Sequence, residues 1–242
     1  MKITDYISIT IDRLPKGYVF TYKDFIREVE NKEAIIKALN RMVKSDKIRK
    51  LSKGKYYKPE VTAFGELPPD KKQVVKDLLE KDGKLIGYVS GYGIYNQLGL
   101  TTQVGNSIQI GRNEYKPTIQ RGIYKISFIR QKNTITKENI PLLQILDAVR
   151  DIKFIPDTST SKATAKLLSI LRELDQKDRQ TISKLALKYP PATRAITGAM
   201  LEQLGEAELV TVLRKSLNPI SIYGLYNISS EVLPNAKDWN IE

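Results

Sequence analysis

The sequence predicts an α+β protein in two parts. A small basic domain occupies residues 1–60, a mixed α+β domain occupies residues 70–242, and residues 61–69 link them. Three observations predict this. Apolar residues over the first sixty positions recur at helical spacing, then give way to a short basic hairpin. Residues 107–111 and 122–130 alternate apolar and polar, as half-buried strands do. From Pro141 onward the apolar stripes are again helical.

Taken in order, Ile3, Tyr6, Ile7, Ile11 and Leu14 mark an amphipathic helix ended by Pro15-Lys16-Gly17. Tyr18-Val19-Phe20 reads as a short extended stretch. Thr21, with Asp24 three residues on, reads as an N-cap with acidic support, opening a short helix through Phe25, Ile26 and Val29. Asn31 caps a third helix, whose stripe is Ala34, Ile35, Ala38, Leu39, Met42 and Val43. Its other face carries Lys32, Lys37, Asn40, Arg41 and Lys44. Residues 48–57 read as two strands turning at Ser52-Lys53-Gly54, and Pro59 closes the unit.

Helix, strand, helix, helix and basic hairpin is the order of a winged helix-turn-helix. Residues 41–58 hold eight basic side chains and one acidic one, on the face where such a fold meets the major groove and flanking phosphates. Arg41 and Asn40 are the candidates for base edges, since Arg pairs with guanine and Asn with adenine through two hydrogen bonds. Lys32 and Lys37 suit either role. Lys44, Lys50, Lys53 and Lys55 suit phosphate, while Tyr56 and Tyr57 read as packing residues of the wing.

Phe64-Gly-Glu-Leu-Pro-Pro69 is poor material for a helix and marks the linker. Asp70 then caps a helix through Val74, Val75, Leu78 and Leu79 that stops at Asp82-Gly83. In residues 87–103, Ser90 reads as the cap of a short helix with Ile94, Tyr95 and Leu98, ended by Gly99. Gly-Tyr-Gly there lacks the Lys-Ser/Thr of a phosphate loop. Arg112, Lys116, Arg121, Lys125, Arg130 and Lys132 make the middle region basic: an extension of a DNA footprint, a site for an acidic partner, or a solvated sheet face. Helices follow from Pro141, from a cap at Ser159–Ser161, over 182–187, over 193–204 and over 210–217. A tail runs through Tyr223–Ile228 and Val232–Trp239.

Charge and composition narrow the function. The 242 residues hold 40 Lys and Arg against 27 Asp and Glu, a formal net charge of +13. Residues 1–60 carry 15 basic and 8 acidic side chains, 61–132 carry 11 and 6, and 133–242 carry 14 and 13. A basic N-terminal half beside a nearly neutral remainder points to one part that meets a polyanion. There is no Cys and no His, which excludes disulfides, thiolate metal sites and every Ser-His or Cys-His pair. No run approaches the ~18 apolar residues of a membrane span. A cytoplasmic, soluble protein with no cofactor and no enzymatic activity is expected. The one catalytic alternative is a carboxylate-metal nuclease using Asp151-Ile-Lys153. Against it, Asp147/Asp151 and Asp175/Asp178 have the helical spacing of a solvated face, and Glu206 and Glu208 read as surface charge. A winged helix used only for protein docking is the other alternative.

Two stretches give the chain a family resemblance. One is Ala38-Leu-Asn-Arg-Met-Val-Lys44 with Arg49-Lys-Leu-Ser-Lys-Gly-Lys-Tyr-Tyr-Lys-Pro59. The other is Tyr88-Val-Ser-Gly91 leading to Leu98-Gly-Leu-Thr-Thr-Gln103. Both resemble the AbiEi family of antitoxins of type IV toxin–antitoxin, or abortive-infection, systems. Leu217-Asn-Pro-Ile-Ser221 and the Trp-Asn-Ile tail are similar to its Bacteroidetes-type branch. The resemblance implies a repressor that binds double-stranded DNA at repeated sites in its own promoter. It also implies a functional partner, a nucleotidyltransferase-like toxin that need not be bound stably. Ser90, Gly91, Gly99, Thr101, Thr102 and Gln103 are the family-motif residues, expected to be structural. Lys50 and Lys53 stand where the family often has Arg, keeping phosphate neutralisation but losing planar two-pronged pairing.

Overall fold

The apolar stripe Ile3-Ile7-Ile11 folds as the first helix, α1 (Ile3–Arg13), and Lys58 closes its end by donating to the carbonyls of Asp12 and Leu14 at 2.7 and 3.0 Å. The computed structural model describes residues 2–26, 28–29, 31–225 and 228–242. Arg27 in the predicted second helix, and Tyr226 and Asn227 in the predicted tail, lie outside the described residues.

Strand β1 (Val19–Thr21) leads into a 3-10 turn (Tyr22–Phe25) through a reciprocal capping box between Thr21 and Asp24. Helix α2 (Lys32–Lys44) starts at Asn31, whose side chain accepts from the Ala34 amide at 3.0 Å. Strands β2 (Arg49–Ser52) and β3 (Lys55–Tyr57) form the wing, turning at Gly54 with φ +73°. β4 (Glu60–Thr62), β5 (Gly65–Leu67) and α3 (Lys71–Leu79) follow. Then come β6 (Glu80–Lys81), β7 (Lys84–Leu85), β8 (Tyr88–Ser90), α4 (Tyr92–Gln97), β9 (Ser107–Arg112), β10 (Ile119–Arg121) and β11 (Tyr124–Arg130). Helices α5 (Asn139–Arg150), α6 (Thr160–Glu173), α7 (Gln176–Ala186), α8 (Pro191–Gln203) and α9 (Ala207–Lys215) complete the α+β architecture.

The chain divides into two compact units: Met1–Leu78 with Ile119–Ile126, and Leu79–Thr118 with Ser127–Glu242. In the first, a three-stranded sheet of order β1-β3-β2 packs with α1 and α2 around Ile7, Ile11, Phe20, Phe25, Ile35, Leu39, Ile48 and Tyr56. This is the winged helix-turn-helix. Phe20 and Tyr56 stack at 6.3 Å, which makes Tyr56 the packing residue expected of it.

The unit boundary differs from the sequence expectation of 1–60 and 70–242. Residues 61–69 are no bare linker, because β4 and β5 pair antiparallel within them. Glu66 of β5 accepts from Arg49 Nε at 2.9 Å and from Tyr57 Oη at 3.0 Å, bracing this hairpin on the wing. Burial first, then Glu66, pushes the Tyr57 phenol up to about 12. Helix α3, capped by Asp70, also belongs to the first unit except for Leu79, as does the β10 hairpin. The hairpin is tied by Arg121, which is buried and makes two bonds to Asp77 at 2.6 and 3.0 Å. The helix predicted to run to Asp82-Gly83 stops at Leu79. Both Asp82 and Gly83 have positive φ and turn the small β6-β7 hairpin instead.

Asp77 also pairs with Lys55 at 3.0 Å. Burial alone would raise its carboxyl, but Arg121 and Lys55 outweigh burial and hold it below the ordinary value. A native pKa below the unfolded value gives stability that is present above about pH 4 and lost as pH falls through the native pKa. The acid-induced fall in urea midpoint should therefore be smaller in Asp77→Asn than in wild type. An unchanged acid profile would remove Asp77 from the account.

The second unit pairs β8 with β9, Tyr88 opposite Gly111 and Ser90 opposite Gln109. Its core is helical, around Leu143, Leu146, Leu167, Leu171, Ile196, Met200 and Trp239. Ser159 caps α6 by accepting from the Lys162 amide at 3.2 Å, as its spacing predicts. Among the described residues, no helix is long and apolar enough to cross a membrane.

Candidate nucleic-acid interface

Helix α2 turns Ile35, Ala38, Leu39 and Met42 into the core, so residues 37, 40, 41 and 44 must face outward at three- and four-residue spacing. Lys32, Lys37, Asn40, Arg41 and Lys44 are all exposed, as are Lys50 and Lys53 of the wing. Lys32 lies over the Tyr22 ring, its Nζ 5.0 Å from the centroid. Tyr56 Oη donates to Asn40 Oδ1 at 3.2 Å, so the wing orients the amide of the helix and leaves its NH2 group outward.

The eight basic residues of 41–58 fall into two classes. Lys47 pairs with Asp12, Arg49 with Asp46 and Glu66, and Lys55 with Asp77, while Lys58 caps α1. These hold the unit together. Arg41, Lys44, Lys50 and Lys53, together with Lys37, make no ion pair among the described residues. Lys55, expected to contact phosphate, is thus a correction. Its ammonium is half-buried against a carboxylate, a partner on α3 that local spacing does not reveal. Arg121 leaves the basic middle region for the same reason.

In the second unit, the residues of the 88–103 stretch are held by local turns and by bonds to two distant carboxylates, Asp147 and Asp157. Ser90 is not the cap expected of it: Gly91, at φ +76°, occupies that position. A Cβ on Gly91 would come 2.9 Å from Gln109 Cβ. Ser90 Oγ instead donates to Asp147 at 2.7 Å. Gly99, at φ +71°, ends α4 as expected. Thr101 Oγ1 accepts from the Gln103 amide at 3.2 Å, and Thr102 and Gln103 reach the Asp157 carboxylate at 3.0 and 3.5 Å.

Asp147 overturns the reading of Asp147/Asp151 as a solvated pair. Its side chain is 0% exposed. Oδ2 accepts from Tyr88 Oη at 2.8 Å and from Ser90; Oδ1 accepts from Tyr189 Oη at 3.0 Å and Arg150 Nη1 at 3.1 Å. Asp151 accepts from Arg150 at 2.8 and 2.9 Å and from Tyr95 Oη at 2.7 Å. Gln131 bridges Tyr88 and Tyr189 at 2.9 Å each. Burial pushes the Asp147 carboxyl up, and Arg150 and the three hydroxyls oppose it. Both carboxylates are saturated by structural donors, and no group of three potential metal ligands exists among the described residues. Sequence reading found none of this network. Tyr88, Tyr95 and Tyr189 are separated from Asp147 by 42 to 59 residues, and the surviving signal was only that Tyr88 and Ser90 stand in the 88–103 motif.

Residues 6–179 match the model of a family of unknown function, DUF6088. The chain belongs to this family. That match runs from within α1 of this DUF6088 member to within α7 of its second unit. No curated protein matches the sequence. The crystal structure of the Rv2827c protein from Mycobacterium tuberculosis is similar in fold, with a TM-score of 0.53 at 13% identity, over 91% of this chain and 82% of that one.

Proposed function

We propose that this DUF6088 protein is a sequence-specific DNA-binding repressor, a binding protein and not an enzyme, acting as the antitoxin of a type IV pair. The observation that carries the DNA reading is the set of unpaired cations, Lys37, Arg41, Lys44, Lys50 and Lys53, on the outer face of α2 and the wing, among which Lys47, Arg49, Lys55 and Lys58 are held by carboxylates or carbonyls. A recognition helix enters the major groove, with Arg41 and Asn40 at base edges. Lys50 and Lys53 follow the flanking phosphates. The resemblance to AbiEi antitoxins supports the rest: repeated sites in its own promoter, and a nucleotidyltransferase-like toxin as functional partner, in the cytoplasm.

A mobility-shift titration on the DNA upstream of its own gene, with an unrelated promoter as competitor, tests this. Arg41→Ala is expected to cost about 1–3 kcal/mol on the specific site and little on the competitor. Lys50→Ala and Lys53→Ala should weaken both DNAs equally and each reduce the log–log salt slope by about one unit. Equal, salt-labile binding to both DNAs would make the face a general polyanion patch. No binding at low salt would replace the reading with protein docking. With specific binding established, rescue of cells expressing the neighbouring toxin tests the antitoxin half.

A further inference from the structure

The second unit holds a cavity of about 630 Å³ lined by Arg130, Lys132, Arg150, Lys188, Pro191 and Arg194, with Gln131 and Tyr189 also in its wall. Five of these residues are cations and no carboxylate lines the cavity. Arg150 is neutralised by Asp147 and Asp151. The other four make no ion pair among the described residues, and Arg130, Lys132 and Lys188 are exposed. Arg194 is anchored by Nη1 on the Ser216 carbonyl at 2.8 Å, while its Nε is buried without a hydrogen-bond partner among the described residues.

A second feature points the same way. Pro190 and Pro191 put the start of the 13-residue helix α8 at the cavity, adding the positive end of the helix dipole. Four uncompensated cations around one concavity give it a positive potential that favours an anion. The volume lies within the ~300–1,000 Å³ of ordinary small-ligand sites.

We propose that this cavity binds a small oligophosphate, either inorganic or the phosphate chain of a nucleotide. Lys188 and Lys132 supply point charges, Arg130 supplies a forked donor, and Arg194 supplies the guanidinium N–H groups left over by its Nη1 bond to Ser216. The site is independent of the DNA reading, since none of its residues belongs to the winged helix.

Titration calorimetry on the full chain with inorganic triphosphate, orthophosphate and ATP tests it. Saturable binding of triphosphate at least about tenfold tighter than orthophosphate is expected, since each added phosphoryl group meets a further cation. Tighter binding of ATP than of triphosphate would assign the nucleotide as source; equal binding would assign the inorganic chain. Lys188→Ala/Arg130→Ala, both exposed and removable without opening the core, should weaken triphosphate by at least about tenfold. Arg194→Ala should do the same and reduce the rise in melting temperature that triphosphate gives. Lys16→Ala/Lys162→Ala removes the same charge at exposed positions outside both sites and should leave binding unchanged. Absence of binding at millimolar triphosphate in low salt, or equal loss in both double variants, would overturn the proposal. Displacement of triphosphate by a short DNA duplex at lower concentration would also overturn it, in favour of a nucleic-acid contact.

Discussion

Asp147→Ala should destabilise the second unit by about 3–5 kcal/mol, the range for removing one partner of a buried ion pair. Three hydroxyls and one guanidinium arm converge on this carboxylate, which has no exposed surface. Alanine leaves Tyr88, Ser90 and Tyr189 each with a buried donor to re-pair. It also leaves Arg150 with Asp151 alone. Gly111 restricts the relaxation, since even a Cβ there would lie 2.3 Å from the Tyr88 ring. The ring and the strand are already in close contact. Asp147→Asn, which keeps the volume and two acceptor lone pairs, should lose less. Urea denaturation followed by tryptophan fluorescence measures both variants. A loss below about 1 kcal/mol in the alanine variant would mean that the hydroxyls find other partners or water.

Trp239→Ala should cost a similar amount, about 3–5 kcal/mol. The indole is 2% exposed. It donates to Glu202 Oε2 at 2.8 Å and lies under the Arg214 guanidinium, 4.2 Å from the ring. Its outer edge fills the space over Gly198, where a Cβ would come within 2.2 Å of the ring. Gly198→Ala is a sharper test of the same packing. Alanine favours an α-helix over glycine by about 1 kcal/mol, whereas overpacking a closed core costs about 1–3 kcal/mol. Overpacking should win, because Glu202 and Arg214 hold the ring in place. Calorimetric melting of Gly198→Ala checks the sign, and a raised melting temperature would mean that the tail moves aside freely. The protein has one tryptophan, so fluorescence reports on the second unit.

The winged helix was legible because its signals are local. The stripe of α2, the Asn31 cap, the turn at Gly54 and the exposed face with Lys37, Arg41 and Lys44 all follow from spacings of two to four residues. The stretch 88–103 stood out in the sequence, but not the bonds that its Tyr88 and Ser90 make to Asp147. Local spacing misread Ser90 as a cap and Asp147 as a solvated residue, since a carboxylate at i and i+4 looks the same on a wet helix and on a buried one. Lys55 and Lys53 look alike in sequence, and only the packing of α3 against the wing gives Lys55 the carboxylate of Asp77. The same holds for the cationic cavity. Its residues come from the end of β11, the end of α5 and the junction of α7 with α8, too far apart in sequence for any local spacing to group them. Sequence by itself determined the helices, the wing and the outward cations, because periodicity and capping act within one or two turns. Tertiary structure decided which charges are spent in pairs and which remain free, because that depends on partners tens of residues away.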